Sequence, residues 1–126
     1  MNFPAELKYV ESHEWVRIDG NTVTIGITDF AQSELGDVVF VDISAEEGDE
    51  LNAGASFGTI EAVKTVSDIY MPISGKITAI NGNLGDAPET LNKDPYGEGW
   101  LIKIESSDLD NDALMAAAAY QEMVSG

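Results

Sequence analysis

Short runs of β-branched and aromatic residues, each closed by Gly, Asp or Asn, set the texture of this chain. His13 to Ile18 and Thr22 to Ile27 flank Asp19-Gly20-Asn21 and predict a hairpin. Val38 to Ile43 reads as a strand, followed by a polar turn at Glu46 to Glu50. Ser56 to Val63 and Val66 to Met71 are two more strands with almost nothing between them. Pro72 to Gly75 turns the chain into a strand at Lys76 to Ile80, Asn81 to Asp86 is a loop, and Trp100 to Ile104 closes the series. Asp29 to Gly36 predicts one short inserted helix, with Asp29 as its cap, Gln32 completing a capping box and Gly36 ending it. The tail is different. Ser107 to Asp110 resembles a helix start, and Asn111 to Val124 continues it, with Leu114, Ala117, Ala118 and Gln121 on a packing face. The expectation is one mainly β domain over residues 1–126, with a β body over about 7–105 and a C-terminal helix over about 108–124.

Composition narrows the function more than the fold. Six Lys plus Arg against 23 Asp plus Glu give a net charge of −17. Phosphate backbones and anionic lipid head groups repel such a chain, which argues against nucleic-acid and membrane-surface partners. No apolar stretch approaches the ~20 residues of a membrane span. The opening Met1 to Glu6 has neither a basic start nor an apolar core, so a cytoplasmic protein is expected. There are no cysteines, which removes thiol nucleophiles and zinc-thiolate sites.

Catalytic constellations are equally scarce. His13 is the sole histidine and reads as a packing or turn residue beside Trp15. No Gly-x-Ser-x-Gly elbow supports a serine hydrolase, and Gly54 to Gly58 lacks the continuation of a phosphate loop. Asp108, Asp110 and Asp112 lack the order of a calcium loop and suit a solvated helix start.

Lys64 stands between two strand runs in a chain with five lysines. By position alone it reads first as a soluble turn residue, and only second as an amine held out for acylation. Its surroundings are less generic. Glu61 to Gly75 around Lys64 resembles the lipoyl-attachment site of the glycine cleavage H-protein family. Tyr9 to Val16, Gly26 to Gln32 with Leu35 to Val41, and Asn92 to Ile104 resemble the same family, in the same order. Two positions depart from the family habit: Ala62, where Ser is frequent, and Thr65, where Ala is.

The resemblance implies a lipoyl/biotinyl-type barrel-sandwich hybrid with a short inserted helix and a C-terminal helix. It implies a carrier, not an enzyme, with (R)-lipoate covalently attached to Lys64. The arm would take an aminomethyl group from glycine at the P protein (glycine decarboxylase) and present it to the T protein (aminomethyltransferase). The L protein (dihydrolipoyl dehydrogenase) would reoxidise it, and a lipoate ligase or octanoyl transferase would install it. Glu61, Gly48 and Gly75 match positions used in lipoylation recognition. Ser12, Glu14 and Asp68 match the groove that receives the loaded arm. Other readings are a biotin carrier, which would flank its lysine with Met where Val63 and Thr65 stand, and a relay passing lipoyl groups to other domains. A small hydrolase using Ser67 or His13 and an unmodified adaptor with a bare Lys64 complete the set.

Overall fold

The computed structural model describes residues 2–110 and 112–125. In chain order the first elements are β1 (Lys8–Tyr9), β2 (Glu14–Asp19), β3 (Thr22–Ile27), α1 (Asp29–Leu35), β4 (Val38–Ile43) and β5 (Glu50–Leu51). β6 (Ser56–Ala62), β7 (Val66–Tyr70), β8 (Gly75–Ile80), α2 (Asn83–Asp86) and α3 (Thr90–Lys93) follow. β9 (Ile102–Glu105), β10 (Met115–Ala116) and α4 (Ala117–Ser125) complete them. The strands form two antiparallel sheets, one ordered β10-β1-β2-β3-β9-β8-β5 and the other β4-β6-β7. Alternation along β2, β3, β6 and β9 turns Val16, Ile25, Ile60 and Ile104 into a shared core. A second cluster joins Leu7, Tyr9, Trp15 and Tyr120 at one side.

The predicted hairpin is present, with β2 and β3 paired from Glu14↔Ile27 to Asp19↔Thr22. Gly26 is required there by packing. A Cβ on it would stand 2.6 Å from the Trp15 ring, which lies across it. Trp15 then donates from Nε1 to the carbonyl of Pro95 at 3.0 Å, fastening the 92–99 segment to the sheet.

Several expected elements shift. The cap of α1 is Thr28, not Asp29: its hydroxyl accepts from the Ala31 N–H at 3.1 Å. Thr28 is fully buried in extended geometry, so its oxygen meets the helix end, whereas Asp29 is already helical and accepts from the Gln32 side chain at 2.7 Å. The C-terminal helix begins at Ala117, well after residue 108. Met115 and Ala116 pair with β1 as a short strand instead, satisfying an edge that a helix would leave bare. Its start was expected partly on Asn111, which lies outside the described residues. The packing face also differs: Tyr120 is buried and Val124 partly so, while Ala118 and Gln121 are exposed. Within the expected 81–86 loop lies α2, and α3 was not foreseen.

Candidate functional site

Val63, Lys64 and Thr65 form the tip of the β6–β7 hairpin. The tip is closed by the Ala62 N–H donating to the Thr65 carbonyl at 2.8 Å. It is also tied sideways: the Val63 N–H donates to the carbonyl of Asp37 at 3.0 Å, in the connector between α1 and β4. Val63, Lys64, Thr65 and Val66 are all exposed, so an acylating enzyme can reach the amine. Ala62 is buried opposite Val38, which explains why a small residue suits that position.

Beside the tip runs a groove of about 480 Å³, between α1 on one side and residues 65–69 on the other. Ser12, His13 and Glu14 form its end wall. Phe30, Leu35, Ile60 and Ile69 supply apolar lining, and Ser12, Glu14 and Asp68 supply polar groups. β7 is the outer strand of its sheet, so the groove follows a sheet edge that no further strand covers.

Glu14 is the chemically distinctive member. It is 2% exposed, accepts a short hydrogen bond from the Ser12 hydroxyl on Oε1, and faces the Tyr70 N–H at 3.5 Å on Oε2. Burial pushes its carboxyl up from 4.5 to about 7, against the opposing pull of the Ser12 and Tyr70 donors. Near neutrality it therefore exchanges a proton readily. Asp68 and Ser12 are exposed at the rim, with the Thr59 hydroxyl donating to Asp68 at 3.5 Å.

His13 occupies the turn before β2 with φ +72, the only positive φ among the described non-glycine residues. Its ring packs on Phe30 at 4.9 Å, and Nδ1 meets the Tyr120 hydroxyl at 2.8 Å. Burial lowers its pKa, so it faces the groove as a neutral ring at neutral pH.

The groove thus brings Ser12, Glu14 and Asp68 together beside Lys64. The three residues matched to recognition are not so gathered. Glu61 is exposed one strand position before the tip, between Phe40 and Val66 in the sheet register. Gly75 opens β8 and Gly48 lies in the turn before β5, both at the other sheet from Glu61. They are near each other: the Gly48 N–H donates to Ile77 at 2.7 Å, and Gly75 pairs with Leu51. Gly75 packs so tightly that a Cβ would stand 2.8 Å from Ile104.

Three residues at or behind the site, Thr28, Asn92 and Tyr120, were not singled out in the sequence, and Gly36 was read only as the end of α1. Tyr120, an aromatic in an alanine-rich tail, carried the one usable signal, a large side chain that needs burial.

The geometry suits a lipoyl group. A groove of this volume is within the usual range for small-molecule sites, with apolar walls for a hydrocarbon chain and a polar end. Thr65, next to the lysine, is part of its lining.

Comparison with known proteins agrees over almost the whole chain. The family model described as glycine cleavage H-protein matches residues 7–126. The chain is 55% identical over 125 residues to a glycine cleavage system H protein of Anoxybacillus flavithermus, covering 98% of each. It is 52% identical over 122 residues to a probable glycine cleavage system H protein of Haloarcula marismortui, covering 96% of this chain and 95% of that one. Among solved structures, it is similar to a glycine cleavage system H protein from Mycobacterium marinum, with a TM-score of 0.89 at 37% identity, over 98% of this chain and 99% of that one. The mainly β, barrel-sandwich fold agrees with that likeness.

Proposed function

This chain belongs to the glycine cleavage H-protein family, a carrier subunit and not an enzyme, and we propose that it carries (R)-lipoate in amide linkage on Lys64. The observation that carries this reading is the placement of Lys64, exposed at a closed hairpin tip and flanking a groove with a buried carboxyl. When attached, the group supplies a disulfide that opens to take up a one-carbon amine and is afterwards reoxidised.

The chain's own residues supply placement and electrostatics. Ser12 and the Tyr70 N–H hold Glu14 in one orientation at the end wall. A protonated amine brought into the groove favours the ionised carboxyl, so Glu14 releases its proton and pairs with the cation. Phe30, Leu35 and Ile69 keep much of the water away, which strengthens that pairing and slows hydrolysis. Asp68, at the exposed rim, adds a second negative charge. Glu61, beside the tip, is the charge a lipoylating enzyme reads, while Gly48 and Gly75 act through the shape of the turns at the β5–β8 pairing.

The partners we propose are the P, T and L proteins and a lipoate ligase or octanoyl transferase, on the strength of family membership. The net charge of −17 suits a shuttle that meets several of them without self-association. We place this work in the cytoplasm.

Co-expression with a lipoylating enzyme, followed by intact mass and peptide mapping, tests the reading. One lipoyl adduct on Lys64, absent from Lys64→Arg, is expected. An adduct that persists on another lysine of that variant overturns it.

A further inference from the structure

Asn92 to Ile104 is the one block of family-like sequence that the groove does not use, and Asn92 points to its purpose. Its side chain makes three hydrogen bonds. Oδ1 accepts from the Val38 N–H at 2.9 Å, and Nδ2 donates to the Gly36 carbonyl at 2.8 Å and to Gln32 Oε1 at 3.1 Å. The amide's orientation follows from its backbone partners, since an N–H can only donate and a carbonyl can only accept. Asn92 therefore spans the break between α1 and β4, holding the carbonyl of the cap residue Gly36 and the first amide of the strand.

That break is where Lys64 rests. Gly36 has φ +77 and ψ −153, backbone space open essentially to glycine alone. Its bare Cα faces the lysine: a Cβ there would lie 3.3 Å from Lys64 Cε and 3.9 Å from Nζ. The next residue, Asp37, accepts the Val63 N–H. Glu34 and Leu35, immediately before, line the groove. Hairpin tip, lysine stem and groove wall thus meet on one connector.

We propose that Asn92 and Gly36 are positioning residues for Lys64, forming a fixed seat that aims the lysine stem along the groove instead of freely into solvent. Asn92 holds the α1–β4 connector in one geometry, and Gly36 leaves room for the stem to lie flat across it. A carrier without the seat would still accept its cofactor, because the amine remains exposed. It would lose the bias that returns the attached group to the groove. The proposal rests on attachment at Lys64, and its test is arranged so that the two can fail separately.

The first measurement uses unmodified protein and needs no cofactor. Amide hydrogen exchange at Val63 should be about tenfold faster in Asn92→Ala than in wild type, because the Asp37 acceptor is no longer held. Asn81→Ala is the control: it removes a side-chain amide bonded to the Glu98 and Trp100 carbonyls, away from the tip, and should leave Val63 unchanged. The second measurement uses lipoylated protein and reads, as its signal, the near-ultraviolet circular dichroism of the dithiolane ring in excess of that of free (R)-lipoamide, an excess that arises when the ring is held in a fixed asymmetric site. Asn92→Ala and Gly36→Ala should keep roughly half the wild-type signal or less, and Asn81→Ala should keep all of it. Asn92→Asp preserves the acceptor for Val38 and removes both donated bonds, and carries both measurements if Asn92→Ala does not fold. Unchanged Val63 exchange together with an unchanged dithiolane signal overturns the seat. Absence of any adduct on wild-type Lys64 overturns the attachment, and Val63 exchange then decides the seat alone.

Discussion

The hydroxyl of Tyr120 stands 2.8 Å from Nδ1 of His13, joining the C-terminal helix to the end wall of the groove across 107 residues of sequence. The same hydroxyl lies 2.7 Å from the Thr28 hydroxyl, which in turn accepts from the Ala31 N–H and caps α1. One phenol therefore braces two walls of the groove. Its ring is stacked on Tyr9 at 4.9 Å, and burial pushes its own ionisation up to about 12, so it stays a neutral donor. Tyr120→Phe should keep the stack and lose both hydroxyl contacts. Leaving buried partners short of a hydrogen bond costs about 1–3 kcal/mol, to be read by urea denaturation. An unchanged midpoint would mean that the brace is not needed.

None of this brace was legible in the sequence, and the reason is physical. Local pattern identified β2, β3, β4 and the β6–β7 hairpin because alternation and turn residues are properties of neighbours in the chain. Thr28, Asn92 and Tyr120 act through partners tens of residues away, and nothing near them announces those partners. The Ser12, Glu14 and Asp68 set was named through resemblance, and the structure gathers those residues in one groove. Gly48 and Gly75 were named in the same way beside Glu61, yet they sit at the β5–β8 pairing in the other sheet, because resemblance aligns positions in sequence and not in space. The tail misled for another reason. Alanine-rich sequence favours helix, but the free edge of β1 took Met115 and Ala116 into a strand.

Glu14 sets a pH dependence whose sign follows from its burial. Its folded pKa, about 7, is raised above the unfolded value of 4.5. The folded state therefore binds the proton more tightly, and this contribution is fully present below 4.5 and lost as pH rises through 7. Across that window wild type should lose up to about 3 kcal/mol relative to Glu14→Gln, whose neutral amide does not titrate. Melting the two proteins at several pH values checks it. A constant difference between them from pH 4 to about 8 would contradict a raised carboxyl.

Recognition and folding should separate between Glu61 and Gly75. Glu61 is exposed, so Glu61→Ala should change stability by no more than about 0.5 kcal/mol while slowing lipoylation. Gly75→Ala forces a methyl group against Ile104 and the Glu105 carbonyl, 2.8 and 2.9 Å away. It should cost about 1–3 kcal/mol, and its slower lipoylation should come together with that loss of stability, since the glycine acts through the shape of its turn. Parallel thermal melts and timed intact-mass measurements distinguish the two. Equal lipoylation rates for Glu61→Ala and wild type would remove Glu61 from recognition.

The groove should also protect what the carrier is given. An aminomethyl group on sulfur is a cation when protonated, and it decays by losing formaldehyde to water. Glu14 is the buried carboxyl that can pair with it, and Ser12 holds that carboxyl in place. Charge-assisted contacts contribute about 1.5–3 kcal/mol when buried and less where water enters. Because Ser12 and Asp68 sit at an exposed rim, the lower end of that range applies, equivalent to about tenfold in rate. Glu14→Ala should accordingly be lipoylated as fast as wild type, since the lysine tip is untouched. Once loaded by the decarboxylase with the transferase absent, it should release formaldehyde about tenfold faster. The cavity left by the deleted carboxyl admits water, so Glu14→Gln separates the two contributions: it restores the volume without the charge. Decay of the Gln variant at the Ala rate assigns protection to the charge, and decay at the wild-type rate assigns it to the exclusion of water. If both variants decay no faster than wild type, the loaded group is not held against residue 14 at all.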